Sequence, residues 1–204
     1  MIIDEIRRQK GHLVVLYSEG EPIVSLDSDL ADEMKLQAGR DYTVEELQAL
    51  LTQSQFRRAR SKALYLLEFK DYPRKELITR LRKDFDEASV RAAVDFLEEI
   101  GAIDDRRYAE AAIRHLAGYK HYGRRRILQE LSQKGIDRDT AEEALDAYGL
   151  DEPAMILELL EGRFDKDLSD PKGIQRTIAT LTRYGFGYGD IRDALREYTD
   201  RLEE

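Results

Sequence analysis

The sequence predicts a mostly α protein: an elongated tandem array of three three-helix repeats behind a small N-terminal subdomain that contains β-strands. Three observations carry this expectation. Laid on itself, the chain repeats, because Gly123, Arg126, Leu128, Leu131, Gly135 and Ile136 recur as Gly173, Arg176, Ile178, Leu181, Gly185 and Phe186 at a constant shift of fifty. A helix face repeats behind it: Val90, Ala93, Val94 and Leu97 correspond to Ala141, Ala144, Leu145 and Tyr148, and to Ile191, Ala194, Leu195 and Tyr198. Each set has the i, i+3, i+4, i+7 spacing of one apolar stripe, which makes Tyr148 and Tyr198 expected core residues. The first fifty residues, in contrast, break into short runs rich in Ile, Val, Leu and Tyr.

In chain order, Met1 to Arg8, His12 to Tyr17 and Glu21 to Leu26 read as three strands, with Ser18-Glu19-Gly20-Glu21-Pro22 as a hairpin loop of a few residues. Asp29 to Lys35 reads as a short helix ending before Gly39. A long helix then starts at Thr43, which forms a capping box with Glu46, while Tyr42 and Leu47 provide a hydrophobic staple. The repeats follow as helices near 55–70, 73–84 and 87–100, then 105–118, 123–134 and 138–148, then 152–163, 171–184 and 190–203. Pro73 stands where Gly123 and Gly173 stand and, like Pro171, suits a first helical turn. Asp86, Asp104, Asp137, Asp151 and Asp190 mark helix starts, where a carboxylate accepts from unpaired N–H groups. Gly101, Gly135, Gly149 and Gly185 mark helix ends. The expected domains are therefore 1–50, acidic and strand-containing, and repeats 51–101, 102–149 and 150–204.

The length of 204 residues admits one elongated domain or a large and a small one, and 42% hydrophobic residues with 11 Tyr and 6 Phe are enough for a core. With no cysteine there is no disulfide framework, thiolate metal site or cysteine nucleophile. Met1 to Lys10 carries Asp4, Glu5, Arg7 and Arg8, and the nearest apolar run is only Leu13 to Tyr17, so the expectation is a cytoplasmic protein without signal peptide or membrane span. With His12, His115 and His121 as the only histidines, the chain shows none of the H-E-x-x-H, phosphate-loop, G-x-S-x-G or G-x-G-x-x-G motifs. Asp104-Asp105 resembles a catalytic or metal pair but reads better as an N-cap and a first-turn acid. Glu142-Glu143 and Glu203-Glu204 read as solvated helix faces. The expectation is no catalytic residue, metal or cofactor.

Charge is distributed unevenly. Residues 1–50 hold 5 basic and 11 acidic side chains, residues 51–136 hold 19 and 13, and residues 137–204 hold 9 and 18, so the balance runs -6, +6, -9. Within the basic middle, Arg57, Arg58, Arg60 and Lys62 open the first repeat, Arg74 and Lys75 open its second helix, and Arg124, Arg125 and Arg126 open the corresponding helix fifty residues on. Tyr119, Lys120, His121 and Tyr122 lie just before Arg124, and Arg114 lies one helix earlier. Cations, rings and a donor-rich helix start suit phosphates and splayed bases, or an acidic protein surface. Any single one of these side chains reads equally well as part of a solvated face.

The segment from Ala63 to Ala147 resembles the RecX family of bacterial recombinase regulators. The matching residues are Glu76-Leu77 with Leu81, then Leu97, Gly101, Asp105, Tyr108 and Ala109, then Gly123, Arg126-Ile127, Leu131 and Lys134-Gly135-Ile136. Phe69-Lys70 stands where the family usually carries basic residues, and Tyr72 replaces a Ser-like cap. The resemblance implies a non-enzymatic partner of the RecA filament on single- or double-stranded DNA. It further implies binding along the filament groove and restraint of ATP hydrolysis, strand exchange and filament growth, by a chain expected to be a monomer. The rival readings are an independent DNA-binding repeat protein and an enzyme with an unfamiliar carboxylate site. For the enzyme, no nucleophile, base and orienter can be assembled from the residues present.

Overall fold

The computed structural model describes residues 1–203, with side chains through Arg201; the pair Glu203-Glu204 lies outside the residues whose side chains are described. The chain forms two compact units, Met1–Ile103 and Asp104–Glu204. Among the described residues the elements are a three-stranded sheet and ten α-helices, with one 3-10 turn.

In the first unit, β1 (Glu5–Gln9), β2 (Leu13–Ser18) and β3 (Glu21–Asp27) form an antiparallel meander in the order β1-β2-β3. Alternation sends Val14, Leu16 and Leu26 to one face, where they pack with Ile3, Ala31, Tyr42, Leu47 and Leu50. The β2–β3 loop is tighter than expected. Ser18 pairs with Glu21, leaving only Glu19 and Gly20, both left-handed at φ 52° and 80°, as a two-residue hairpin of this twist requires. Pro22 is therefore already in β3, an edge strand at a register shift, where its missing N–H costs no ladder bond. The first strand starts later than expected, because Ile2 makes an isolated bridge to Asp41 instead.

The short helix α1 (Ser28–Glu33) is capped by Asp27, which accepts from the Leu30 N–H. Helix α2 runs unbroken from Val44 to Leu67 behind the expected capping box. Thr43 Oγ1 accepts from Glu46 N–H at 3.1 Å, and Glu46 Oε2 accepts from Thr43 N–H at 2.8 Å. One helix thus serves two cores: Leu47 and Leu50 cover the sheet, and Ala63 packs with α3 (Arg74–Leu81) and α4 (Glu87–Glu99). Full burial of Val90, Val94 and Leu97 on α4 stabilises this cluster by roughly 1.5–3 kcal/mol for each side chain.

The second unit holds two further triads. Helices α5 (Asp105–Gly118), α6 (Arg124–Lys134) and α7 (Arg138–Tyr148) enclose Ile113, Ile127, Leu131 and Leu145. Helices α8 (Glu152–Glu161), α9 (Pro171–Tyr184) and α10 (Tyr188–Glu203) enclose Ile156, Leu160, Leu181, Phe186 and Ile191. Met155 packs against both clusters. A 3-10 turn over Asp165–Ser169, absent from the sequence expectation, precedes α9.

Most helix boundaries sit where their caps place them. Asp86, Asp104, Asp137 and Asp151 accept from first-turn N–H groups of α4, α5, α7 and α8. Three expectations fail. Asp190 is a first-turn residue of α10, which begins two residues earlier at Tyr188. Pro73 is the N-cap of α3, in extended geometry like Gly123 before α6, whereas Asp170 caps α9 and Pro171 is its first residue. Tyr148 is 42% exposed although Leu97 and Tyr198, its repeat equivalents, are buried. Tyr148 is the last residue of α7, and the chain leaves through left-handed Gly149 without returning over it. At Leu97 the chain folds back, with Ile103 buried and its N–H bonded to the Leu97 carbonyl.

Candidate functional site

The basic residues singled out by sequence divide into engaged and available cations. In the first unit, Arg57 forks onto Glu33 at 2.9 and 2.5 Å, tying α2 to α1. That contact holds the Glu33 carboxyl below and the Arg57 guanidinium above their ordinary ranges. Arg74 reaches Asp95 and Glu98 on α4, each at 2.5 Å. Arg58 lies over Phe85 at 5.6 Å, and Arg60 lies near both Phe56 and Phe96, at 5.7 and 5.4 Å. Lys62, over Tyr65 at 5.9 Å, and Lys75 remain exposed.

The second unit repeats the pattern. Arg124 bonds Asp146 on α7 at 2.6 Å, as Arg74 bonds acids on α4, so the first residue of the second helix clasps the third helix in both repeats. At the third repeat the shift of fifty brings Ile174 and Arg196, and both halves of the pair are gone. Arg126 bonds Glu130 at 2.6 Å and lies over Tyr122 at 5.5 Å. Arg125, like its equivalent Lys75, is exposed, with only long contacts of 3.4 Å to the carbonyls of Thr182 and Phe186. Arg114 and Lys120 are exposed, and Tyr119 is 75% exposed and stacked on His115 at 5.5 Å. His121 takes a left-handed backbone, φ 52°, at the bend into α6.

One expected feature is absent: the start of α6 is not open to an anion. The Gly123 N–H donates to the Tyr184 carbonyl at 2.8 Å, and the Arg124 N–H donates to Glu152 Oε1 at 3.0 Å. The C-terminus of α9 and a carboxylate from α8 therefore occupy the donors that a phosphate would use, an arrangement the helix dipoles favour. Close backbone approach makes this possible. A Cβ on Gly123 would lie 2.5 Å from Glu152 Oε1 and 2.8 Å from Phe186.

The same approach of the end of α9 to the start of α6 leaves a recess that the sequence did not reveal. It has a volume of about 690 Å³ and is lined by Tyr122, Arg126, Gln129, Arg163, Arg183 and Tyr184, among others. Arg163 donates to Tyr184 Oη at 2.6 Å, and Arg183 donates to Thr180 Oγ1 at 3.2 Å. The Arg126 Nε is buried without a hydrogen-bond acceptor. Arg163 and Arg183 lie in the most acidic third of the chain and far from Tyr122 in sequence, so neither composition nor repeat register links them.

The candidate acids Asp104 and Asp105 both lie at the start of α5. Asp104 accepts from the Arg107 N–H at 2.9 Å, and Asp105 is a first-turn acid of α5. Among the described residues no group of three or more His, Asp or Glu side chains is placed to hold a metal ion. Nor is any described helix long and apolar enough to cross a membrane.

Comparison with known proteins agrees with the first two triads. Family models described as the first and second three-helix domains of RecX match residues 59–97 and 104–145. The regulatory protein RecX of Streptococcus pneumoniae (strain Hungary19A-6) is 33% identical over 212 residues, covering 100% of this chain and 80% of that protein. The regulatory protein RecX of Clostridioides difficile (strain 630) is 29% identical, covering 96% of this chain and 95% of that one. A crystal structure of RecX from Lactobacillus salivarius superposes with a TM-score of 0.64 at 27% identity, over 71% of this chain and 97% of that one. A crystal structure of a regulatory protein RecX superposes with a TM-score of 0.69 at 23% identity, over 94% of this chain and 98% of that one, a likeness of fold. With its helical triads, two matched domains and a relative aligned along its whole length, the chain belongs to the RecX family of regulatory proteins.

Proposed function

We propose that this chain is a non-enzymatic, monomeric cytoplasmic regulator that binds RecA filaments on DNA and mainly inhibits ATP hydrolysis, strand exchange and filament growth. The observation that carries the reading is the pair Lys75 and Arg125, equivalent second residues of α3 and α6, both exposed while their neighbours Arg74 and Arg124 are engaged by acids of their own repeat. Repeats 51–101, 102–149 and 150–204 would then offer a filament the same contact more than once, which suits a partner that is itself repetitive. Lys62, Arg114, Tyr119 and Lys120 add exposed cations and a ring. The shared name of the relatives, a regulatory protein, supports the same reading.

The test is ATP hydrolysis by RecA filaments assembled beforehand on saturated single-stranded DNA and titrated with this protein at fixed salt. Inhibition at substoichiometric ratios is expected, since contacts spanning several protomers oppose the changes each must make. If inhibition appears only before assembly, or scales with free DNA, the protein is a DNA-binding repeat protein that competes for strand. Homogeneous protein alone is expected to turn over neither ATP nor DNA.

A further inference from the structure

We propose that the recess between α6 and α9 in the second unit is a phosphodiester site that takes the backbone of a single-stranded nucleic acid. The inference rests on the DNA-binding part of the function proposed above, but it joins Arg126 to two arginines, Arg163 and Arg183, from outside the basic middle of the sequence. Three guanidiniums, those of Arg126, Arg163 and Arg183, line one recess, and no carboxylate is among its described lining residues. Residues 137–204 hold 18 acidic and 9 basic side chains. Yet Arg163 and Arg183, both exposed, bond a phenol and a hydroxyl, and among the described residues neither forms an ion pair. Arg126 alone is neutralised, by Glu130 at 2.6 Å, and its Nε still has no acceptor.

Guanidiniums match the geometry of phosphate oxygens with paired donors. Three of the carbonyl oxygens at the C-terminus of α9, which would otherwise repel an anion, are already engaged. Tyr184 O accepts from Gly123 N–H, Leu181 O from Phe186 N–H, and Thr182 O from Gly185 N–H. A single strand fits better than a duplex, because the positive side chains surround one local recess rather than a long ridge. The recess also carries the rings of Tyr122 and Tyr184, 5.7 Å apart. Tyr119, exposed and three residues before Tyr122, offers a free face on which a neighbouring base can stack.

The experiment measures fluorescence anisotropy of a labelled oligothymidylate with the full chain across a salt series. It compares the natural sequence, Arg163→Gln with Arg183→Gln, and Lys75→Gln with Arg125→Gln. Losing the two recess arginines is expected to weaken binding about tenfold or more and to reduce the slope of log K against log salt by roughly 0.7 for each contact removed. Arg183→Gln alone leaves the Arg163 bond to Tyr184 intact and should give part of the same loss, which separates binding from any folding defect. An unchanged affinity and slope in the recess variants overturns the assignment, as does equal competition by poly-glutamate, which would make the recess a dock for acidic protein. The filament assay is read separately. If the natural protein fails to inhibit preformed filaments while the recess variants lose oligothymidylate, the recess stands and the regulator reading falls.

Discussion

Gly185 ends α9 at φ 100°, and a Cβ there would lie 2.5 Å from the Arg126 backbone nitrogen. Gly149 ends α7 at φ 71° with nothing within 4 Å of its Cβ position. The two glycines separate backbone strain from close approach. Gly149→Ala should cost roughly 1 kcal/mol, the penalty of a side chain in the left-handed region. Gly185→Ala should cost clearly more, roughly 2–4 kcal/mol, because backbone atoms of α6 cannot swing away as a flexible side chain can. Urea denaturation of the two variants checks this, and equal losses would mean that α6 and α9 are not tightly apposed. A second residue-scale test is Tyr198→Phe. The Tyr198 hydroxyl donates to Asp165 at 2.6 Å, which raises its pKa, and losing that bond should cost about 1 kcal/mol.

The elements are held by their ends. Asp86 caps α4 by accepting from the Ser89 N–H, chiefly for this reason its carboxyl lies below the ordinary range, and Asp86→Ala should cost about 1 kcal/mol. Next to it Glu87 bonds Arg82 and Arg91, and the Arg82 contact is the main cause of a pKa lowered from 4.5 to about 2. A depressed carboxylate contributes stability that is complete above its unfolded pKa and disappears as pH falls through its folded one. The contribution of Glu87 should therefore be lost between about pH 4.5 and 2. Glu87→Gln should flatten acid denaturation in that window, and an unchanged acid profile would contradict the assignment. The engaged arginines make a functional contrast. Arg74→Ala and Arg124→Ala remove cations that already face acids, so each should cost under about 1 kcal/mol of stability. Each should also weaken oligonucleotide binding less than Lys75→Ala or Arg125→Ala at the equivalent neighbouring positions. Anisotropy on the four variants decides it.

Across the whole chain, the balance of -6, +6 and -9 along the three segments makes for a weak competitor for bare DNA. Under the function proposed above, a composite surface of protein and DNA would hold such a chain through more than phosphate attraction. Oligonucleotide binding should therefore fall steeply as salt is raised, while inhibition of preformed filaments should fall less over the same series. Parallel loss of both would show that strand occupancy explains the inhibition.

The helical triads and most of their boundaries were legible in the sequence because their signals are local. A carboxylate at Asp86, Asp104, Asp137 or Asp151 meets N–H groups two or three residues away, and an apolar stripe such as Val90 to Leu97 needs only its own periodicity. The RecX resemblance rested on residues within the helical triads, such as Leu97 in α4, Tyr108 in α5 and Leu131 in α6. What local signals could not determine depends on neighbours distant in the chain. Tyr148 carries the core spacing, yet it is exposed because the chain does not return over the end of α7. The start of α6 has the composition of an anion site, yet Glu152 and the Tyr184 carbonyl fill it, brought there by the packing of α8 and α9. That packing also gathers Arg126, Arg163 and Arg183 around one recess, where sequence alone showed two unremarkable arginines in an acidic segment. The sequence by itself determined which helices form and which faces they bury. Tertiary structure decided which cations remain free to meet a ligand, because an arginine's availability depends on the carboxylates and carbonyls that folding places beside it.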